Sequence, residues 1–347
     1  MIFYGTILNH LKNQGHNIIV YTLNDSNEIF ENIKINRVKL LDNIILGKMV
    51  GRQLHTRYTN IDLFLCGHLF LAKQMEQIVS IYKQRYCLFV YGIECWAGRF
   101  AKRYPTLNNL DQIISISSFT TKQISNQGFN GNIVYIPPVI DENKYKVKSG
   151  QETINDGKVK LITVARLSSQ EQYKGHDAVI EAVKLLRDNG IENFEYRIIG
   201  KGDDQKRLED KVISYNLSEF IKFYGFVEDK ELGKIYQDSD IFIMPSNVSL
   251  DPKKPEGEGF GIVFIEAAIY GLALIGPNDG GPTDIIEHDV NGYMCDPKSI
   301  EDIADKILIL IRNKKKRNSF GIKIRDKILT NFTLNQLDGY LSNLIDE

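Results

Sequence analysis

Apolar residues along this chain fall into two kinds of stretch. Some are short, dense runs of β-branched and aromatic side chains; others are longer segments in which apolar positions recur at the spacing of one helix face. The runs Ile18–Tyr21, Leu63–Cys66, Leu88–Val90, Ile113–Ile116 and Val134–Ile136 form a first set of expected strands. A second set comprises Lys160–Val164, Tyr196–Ile199, Ile221–Tyr224, Ile241–Met244 and Ala273–Ile275, each followed by a helix-like segment such as Asp177–Leu186. Strands alternating with helices predict one parallel α/β sheet per set. Between the sets stand Pro137 and Pro138, which block helix and ladder alike, and then the polar stretch 141–158, where the interdomain link is expected. In such sheets ligands bind beyond the carboxyl ends of the strands, so the loops there should carry the chemistry.

A chain of 347 residues favours two cores, and two cores imply a cleft. Hydrophobic residues at 43% and charged residues at 25% fit a globular enzyme and exclude a fibrous or disordered class. The net charge of −1 conceals an asymmetry, because residues 1–150 hold 17 Lys+Arg against 10 Asp+Glu. Such a half reads as a solvated surface, since no basic run is dense, or as a face for anionic lipid or a phosphorylated acceptor, which would bring peripheral contact with the inner face of a membrane. Cys66, Cys87, Cys95 and Cys295 lie at unrelated spacings, which predicts neither a zinc site nor a disulfide framework and fits a reduced cytoplasm. Polar residues interrupt every apolar stretch before the ~20 residues of a membrane span, and the N-terminus has no signal pattern.

The densest candidate chemistry is Glu258–Gly259–Phe260–Gly261–Ile262 running into Glu266–Ala267–Ala268. A helix starting near Gly261 would carry Glu266 one to two turns inside it and leave Glu258 in the loop before. Gly259 and Gly261 let bare N–H groups approach a ligand, and a helix N-terminus favours an anion. A carboxylate is a natural acceptor for vicinal sugar hydroxyls. Arg166, at the end of an expected strand, and Lys174 would together neutralise a diphosphate. The turn Gly280–Gly281–Pro282–Thr283–Asp284 offers further N–H donors, and a turn is expected at Asn291–Gly292.

As a set these residues resemble the retaining glycosyltransferases of family four, which have the GT-B fold. The resemblance covers about residues 160–297 and includes Val164–Ala165–Arg166–Leu167, Lys174–Gly175, Ile199–Gly200–Lys201–Gly202, Tyr224–Gly225–Phe226–Val227, Met244–Pro245–Ser246 and the two glutamates 258 and 266. It implies two Rossmann-like domains facing across a cleft, 1–140 on the acceptor side and 141–329 for the nucleotide sugar, with a C-terminal helix of about 330–347 packing back on the first. It further implies that Glu258 contacts donor-sugar hydroxyls, Glu266 the ribose, and Arg166 and Lys174 the diphosphate, with Lys201, Gly202 and Asp203 and with Phe226 and Val227 near the base. His68 would lie beside the donor sugar, or else be structural at a strand end; Glu94 would face the acceptor or be an ordinary loop acid. At Tyr91–Gly92 the family often has His–Gly. Members also usually begin with a strand and a glycine-rich loop, whereas Met1–Lys12 already reads as the following helix, so the first strand is expected to be missing.

The expected function is therefore transfer of a sugar from a UDP- or GDP-sugar to a glycan, lipid-linked or protein acceptor, with retention and with no metal or other cofactor. The alternatives are a nucleotide-sugar epimerase of the same fold, or a nucleotide-binding module inactive through the missing N-terminal strand. Asp238–Ser239–Asp240 resembles a metal-binding DxD but reads as a helix-to-strand junction. Gly200–Lys201–Gly202 lacks the third glycine of a dinucleotide fingerprint. The run Lys314–Lys315–Lys316–Arg317 reads as a solvated helix face, and without aromatic partners it predicts no nucleic-acid binding.

Overall fold

A computed structural model of the chain describes residues 2–22, 34–37, 61–145 and 157–345. The chain divides into two compact units: Met1–Ile116, Thr121–Val139 and Leu337–Glu347 form unit 1, and Ser117–Thr120 with Ile140–Gln336 form unit 2. Of the polar stretch expected to link the domains, 146–156 lie outside the described residues. Asp141, at its start, caps a short 3-10 turn over Glu142–Lys144.

Unit 1 opens with α1 (Ile2–Asn13), whose Ile7, Leu8 and Leu11 are buried. Tyr4 on this helix donates from its hydroxyl to the Leu65 carbonyl at 3.1 Å. The strands β1 (Ile19–Thr22) and β2 (Lys34–Arg37) form a parallel pair. A second, parallel sheet runs β3 (Leu63–Cys66), β4 (Arg85–Val90), β5 (Gln112–Ser115), β6 (Asn132–Tyr135) in spatial order, with α2 (Ala72–Tyr82) and α3 (Ser118–Ser125) as connections. The strand β2 was not expected: Lys34–Ile35–Asn36–Arg37 has one apolar residue and gives no hydrophobic run.

Unit 2 holds β7 (Val159–Val164), α4 (His176–Asp188), β8 (Phe194–Ile199), α5 (Gln205–Ser214), β9 (Ile221–Gly225), α6 (Asp229–Gln237), β10 (Ile241–Ile243), α7 (Ile262–Ile269), β11 (Ala273–Pro277), β12 (Gly292–Cys295), α8 (Ile300–Arg312) and α9 (Lys314–Asn331); α10 (Leu334–Ile345) carries the chain on into unit 1. Its six strands are all parallel, in the order β12-β11-β10-β7-β8-β9. Strand residues Leu161, Tyr196, Ile241 and Ile275 share one face of the sheet and are buried with Val183 of α4 and Ile307 of α8, while Phe242, on the other face, packs on Phe264 of α7, so both faces are covered. The molecule is thus an α/β protein of parallel sheets. The turn expected at Asn291–Gly292 forms over residues 289–291 and runs directly into a sixth strand at Gly292, which was not expected. Glycine is needed there because a Cβ on Gly292 would meet the Leu274 carbonyl at 2.9 Å.

From β7 the chain winds outward one way through β8 and β9; it then returns beside β7 and winds the other way through β10, β11 and β12. The switch falls between β7 and β10, so a crevice opens between the loops that follow these two strands. At the opposite, amino end of β10, Asp238 and Asp240 sit in the helix-to-strand junction: Asp238 pairs with Lys160 at 2.8 Å, and Asp240 accepts the Lys160 backbone N–H at 2.9 Å. One residue of the basic run departs from its expected solvated face. Arg317 is buried and donates to the Leu310 carbonyl at 2.6 Å, satisfying the end of α8 with a cation suited to a helix C-terminus. Among the described residues no helix is long and apolar enough to cross a membrane.

Candidate active site

The first wall of the crevice is the loop after β10. Gly261 caps α7 in a left-handed conformation (φ 89°), and a Cβ there would lie 2.8 Å from the Phe264 ring. The tight turn leaves the N–H groups of residues 259–263 without an acceptor among the described residues. Glu258 stands just before this row of donors.

Lys174 comes from the second wall, the loop after β7. Its ammonium lies 2.6 Å from Glu258 Oε1, and the two side chains are only 12% and 16% exposed. Two features hold the turn that carries it. Gly175 has φ 86°, and a Cβ there would lie 2.5 Å from the Pro245 carbonyl; the Asn247 N–H donates to the Tyr173 carbonyl at 2.7 Å. The loops after β7 and β10 are thus joined backbone to backbone, with the lysine and the glutamate facing each other across the join.

Arg166 has a different setting from the one expected beside Lys174. Its side chain is 77% exposed and pairs with Glu171, a residue the sequence reading missed. Gly280 and Gly281 were expected to aim N–H groups at a phosphate. In this structure the Gly281 N–H donates to the Glu258 carbonyl and the Gly280 N–H to Asp279 Oδ1, both at 2.9 Å. A Cβ on Gly281 would lie 2.2 Å from the Gly259 carbonyl, so the glycine lets this turn lie flat on the 258–260 loop. The open donors are therefore those of residues 259–263.

Glu266 sits in α7 beside Tyr145, Tyr236, Tyr270 and Asp229, whose charges or rings act on one another there. Burial, with repulsion from Asp229, pushes its carboxyl up to about 7. Gly200 and Gly202 follow β8 but have a structural reason to be glycine: a Cβ on either would lie 1.9 Å from the carbonyl of Ala165 or Leu167. Lys201 places its ammonium 5.1 Å from the ring centroid of Phe226, which is 66% exposed and precedes the half-buried Val227.

Unit 1 contributes a different kind of candidate. His68 follows β3, and its Nδ1 accepts the Phe70 N–H at 3.1 Å, which leaves Nε2 as the protonated nitrogen of the neutral ring. The ring stacks on Phe70 at 5.1 Å and on Tyr91 at 6.0 Å, and the Arg103 guanidinium covers Phe70 at 4.5 Å. Burial holds the His68 pKa below its usual value; Glu94 opposes this and Arg103 adds to it. Glu94 itself accepts the Tyr91 N–H and closes that turn.

The family description "Glycosyl transferases group 1" matches residues 145–327. The chain belongs to this family. The amylovoran biosynthesis glycosyltransferase AmsK of Erwinia amylovora is 29% identical over 174 residues, which are 50% of this chain and 41% of that protein. The GDP-mannose-dependent alpha-(1-6)-phosphatidylinositol monomannoside mannosyltransferase of Mycobacterium tuberculosis is 23% identical over 239 residues, 68% of this chain and 61% of that one. The matches span about half the length of these curated relatives. Among solved structures, Anabaena HepE in complex with UDP superposes with a TM-score of 0.81 at 16% identity, covering 99% of this chain and 95% of that one. A Rickettsia africae glycosyltransferase gives 0.80 at 18% identity, covering 99% and 95%. These likenesses establish the GT-B fold. In this group 1 chain the matched region contains the crevice between β7 and β10, together with Arg166, Lys174, Lys201, Val227, Glu258, Glu266 and the glycines discussed above.

Proposed function

We propose that this chain transfers a sugar from a nucleoside-diphosphate sugar to a hydroxyl of a glycan, lipid-linked or protein acceptor, with retention of configuration and without a divalent ion. The observation that carries this reading is the pairing of a nearly buried Lys174 with Glu258 beside the open N–H groups of 259–263, at the switch point of a parallel sheet. The lysine and the amides are fixed before any ligand arrives, so charge developing on a diphosphate leaving group meets oriented donors at little reorganisation cost. Glu258 accepts donor-sugar hydroxyls, Glu266 the ribose hydroxyls, and Arg166 adds a second, more exposed cation. Lys201, Gly202 and Val227 border the nucleobase. The role of His68 beside the donor sugar rests on the resemblance alone.

In the proposed step the acceptor oxygen attacks the anomeric carbon on the face that the leaving group vacates. The bond from that carbon to the phosphate oxygen breaks, and the acceptor proton passes to a phosphate oxygen of the departing diphosphate. No enzyme nucleophile is used, which leaves both glutamates free for hydroxyls. The reading draws support from relatives: HepE is solved with UDP and with UDP and glucose, and the mycobacterial relative is named as GDP-mannose-dependent with a phosphatidylinositol mannoside acceptor. That lipid acceptor and the basic first half also motivate peripheral membrane contact, which sedimentation with anionic vesicles tests.

Calorimetry with UDP and GDP is the direct experiment, since a nucleotide that binds the native state also raises the melting temperature. One of the two should bind with the same affinity in EDTA and in magnesium, and NMR of a transfer product should show the donor's anomeric configuration. Binding that requires magnesium, or an inverted product, would overturn the metal-independent retaining mechanism.

A further inference from the structure

The loop after β8 is fastened to the loop that carries Arg166 and Lys174 along its whole length. The Leu167 N–H donates to the Lys201 carbonyl at 3.1 Å, and the Asp204 N–H donates to the Leu167 carbonyl at 2.9 Å. Asp203 accepts both the backbone N–H of Ser169, at 3.0 Å, and its hydroxyl. Gly200 and Gly202 permit this contact because no side chain separates the two backbones.

Asp204 anchors the arrangement. Its side chain is 8% exposed, and it accepts from Arg207 Nε at 2.7 Å and from a terminal guanidinium nitrogen at 2.6 Å. The Gln172 amide, two residues before Lys174, reaches both of its oxygens at 3.4 Å. The same Arg207 forks onto Asp177, in the first turn of α4, at 2.8 and 2.6 Å. One guanidinium therefore grips the chain on both sides of the turn that presents Lys174: through Asp204 and Gln172 before it, and through Asp177 three residues after it. A planar fork can do this, whereas a single ammonium cannot satisfy both carboxylates in the same geometry.

We propose that Asp204, held by Arg207, is a positioning residue that sets Lys174 for the diphosphate. This rests on the reading that Lys174 carries the diphosphate, and it assigns to a loop otherwise expected to border the nucleobase a second task, that of aligning the cation.

The test is a double-mutant cycle read by calorimetric titration of UDP and GDP into the full chain. Asp204→Ala is expected to weaken binding about 10-fold, the order of one lost hydrogen bond to a charged group. Added to Lys174→Met, it should cost less than about 2-fold more, because a residue acting through Lys174 has nothing left to align. Arg207→Lys keeps the charge and loses the fork, and it should show the same coupling to Lys174 with a smaller loss. It is the variant to use if Asp204→Ala does not fold. A full loss in the Lys174→Met background, for whichever variant folds, would overturn the positioning role while leaving the diphosphate reading intact. A native chain that binds neither nucleotide would overturn that reading and this inference with it.

Discussion

The two units hold their candidate chemistry by different means. In unit 2 the backbone does the holding: Gly175 and Gly281 bring loops together where a Cβ would lie 2.5 or 2.2 Å from a carbonyl of the facing loop, Gly261 turns the chain into α7 where a Cβ would lie 2.8 Å from the Phe264 ring, and Lys174, Glu258 and the open amides follow from those turns. In unit 1 the candidate His68 takes one backbone N–H, that of Phe70, on Nδ1, and otherwise sits among rings, with Tyr91, Phe70 and Arg103 layered around it. A backbone turn that only glycine can make leaves a mark in the sequence. A stack of rings does not, because aromatic residues are also ordinary core material. The comparison teaches why one unit is rich in legible motifs and the other is sparse.

The largest expected effect is at Lys174. Lys174→Ala should lower turnover by ~10²–10³, the usual loss when one fixed donor to a developing oxyanion is removed. Steady-state kinetics on a donor sugar would check it. Arg166→Ala, at a 77% exposed side chain, should cost less, and an equal loss would mean that ligand binding draws Arg166 inward from Glu171.

Stability should separate the units next. Gly202→Ala sets a Cβ 1.9 Å from a backbone carbonyl and is expected to destabilise the chain by about 3 kcal/mol. In unit 1 the atoms nearest to a Cβ on Gly67 are those of the Tyr4 ring, at 3.2 Å, so Gly67→Ala should cost under about 1 kcal/mol because a ring can give by a few tenths of an ångström where a backbone carbonyl cannot. Urea unfolding of the pair tests the contrast, and equal losses would remove it.

A pH series sharpens the role of Glu266. The folded chain keeps this carboxyl protonated up to about 7 against an ordinary value of 4.5, so folding becomes less favourable as pH rises through that window. Glu266→Gln should raise stability at pH 8 by up to about 3 kcal/mol and leave it unchanged at pH 4. Ribose hydroxyls donate best to the ionised form, so nucleotide affinity in the native chain should rise with pH through about 7 and lose that dependence in Glu266→Gln. Unchanged affinity in the variant would remove Glu266 from the ribose.

Phe70→Ala should have the smallest effect. Phe70 is 62% exposed, so stability should move by less than about 0.5 kcal/mol. The His68 pKa should climb toward its usual value as the ring loses cover, which NMR titration would show. A histidine that titrates unchanged would mean that the stack does not set its protonation.

Much of unit 2 could be read from the sequence because its strands are runs of buried β-branched and aromatic residues. Helix α7 begins after Gly261 as its glycines suggest, and Asp238–Asp240 lies in the junction that its place before an apolar run indicated. The strands that were missed, Lys34–Arg37 and Gly292–Cys295, show the limit. One has a single apolar residue, Ile35, and the other begins at a glycine directly after a turn, where the Leu274 carbonyl leaves no room for a Cβ. In the candidate site, Glu171, Asp204 and Arg207 gave no signal, since loop acids and helix arginines are common on surfaces.

The sequence alone determined the α/β architecture, the family, and the residue types gathered after β7 and β10, because buried strands and tight glycine turns restrict which residues can occupy them. Only the tertiary structure decided who pairs with whom. Lys174 faces Glu258 across 84 positions of chain, Gly281 gives its N–H to the Glu258 carbonyl, and Arg207 bridges the first turn of α4 and the loop after β8. Such contacts depend on distances between segments remote in sequence, and those distances exist only once the sheet has brought the strand ends together.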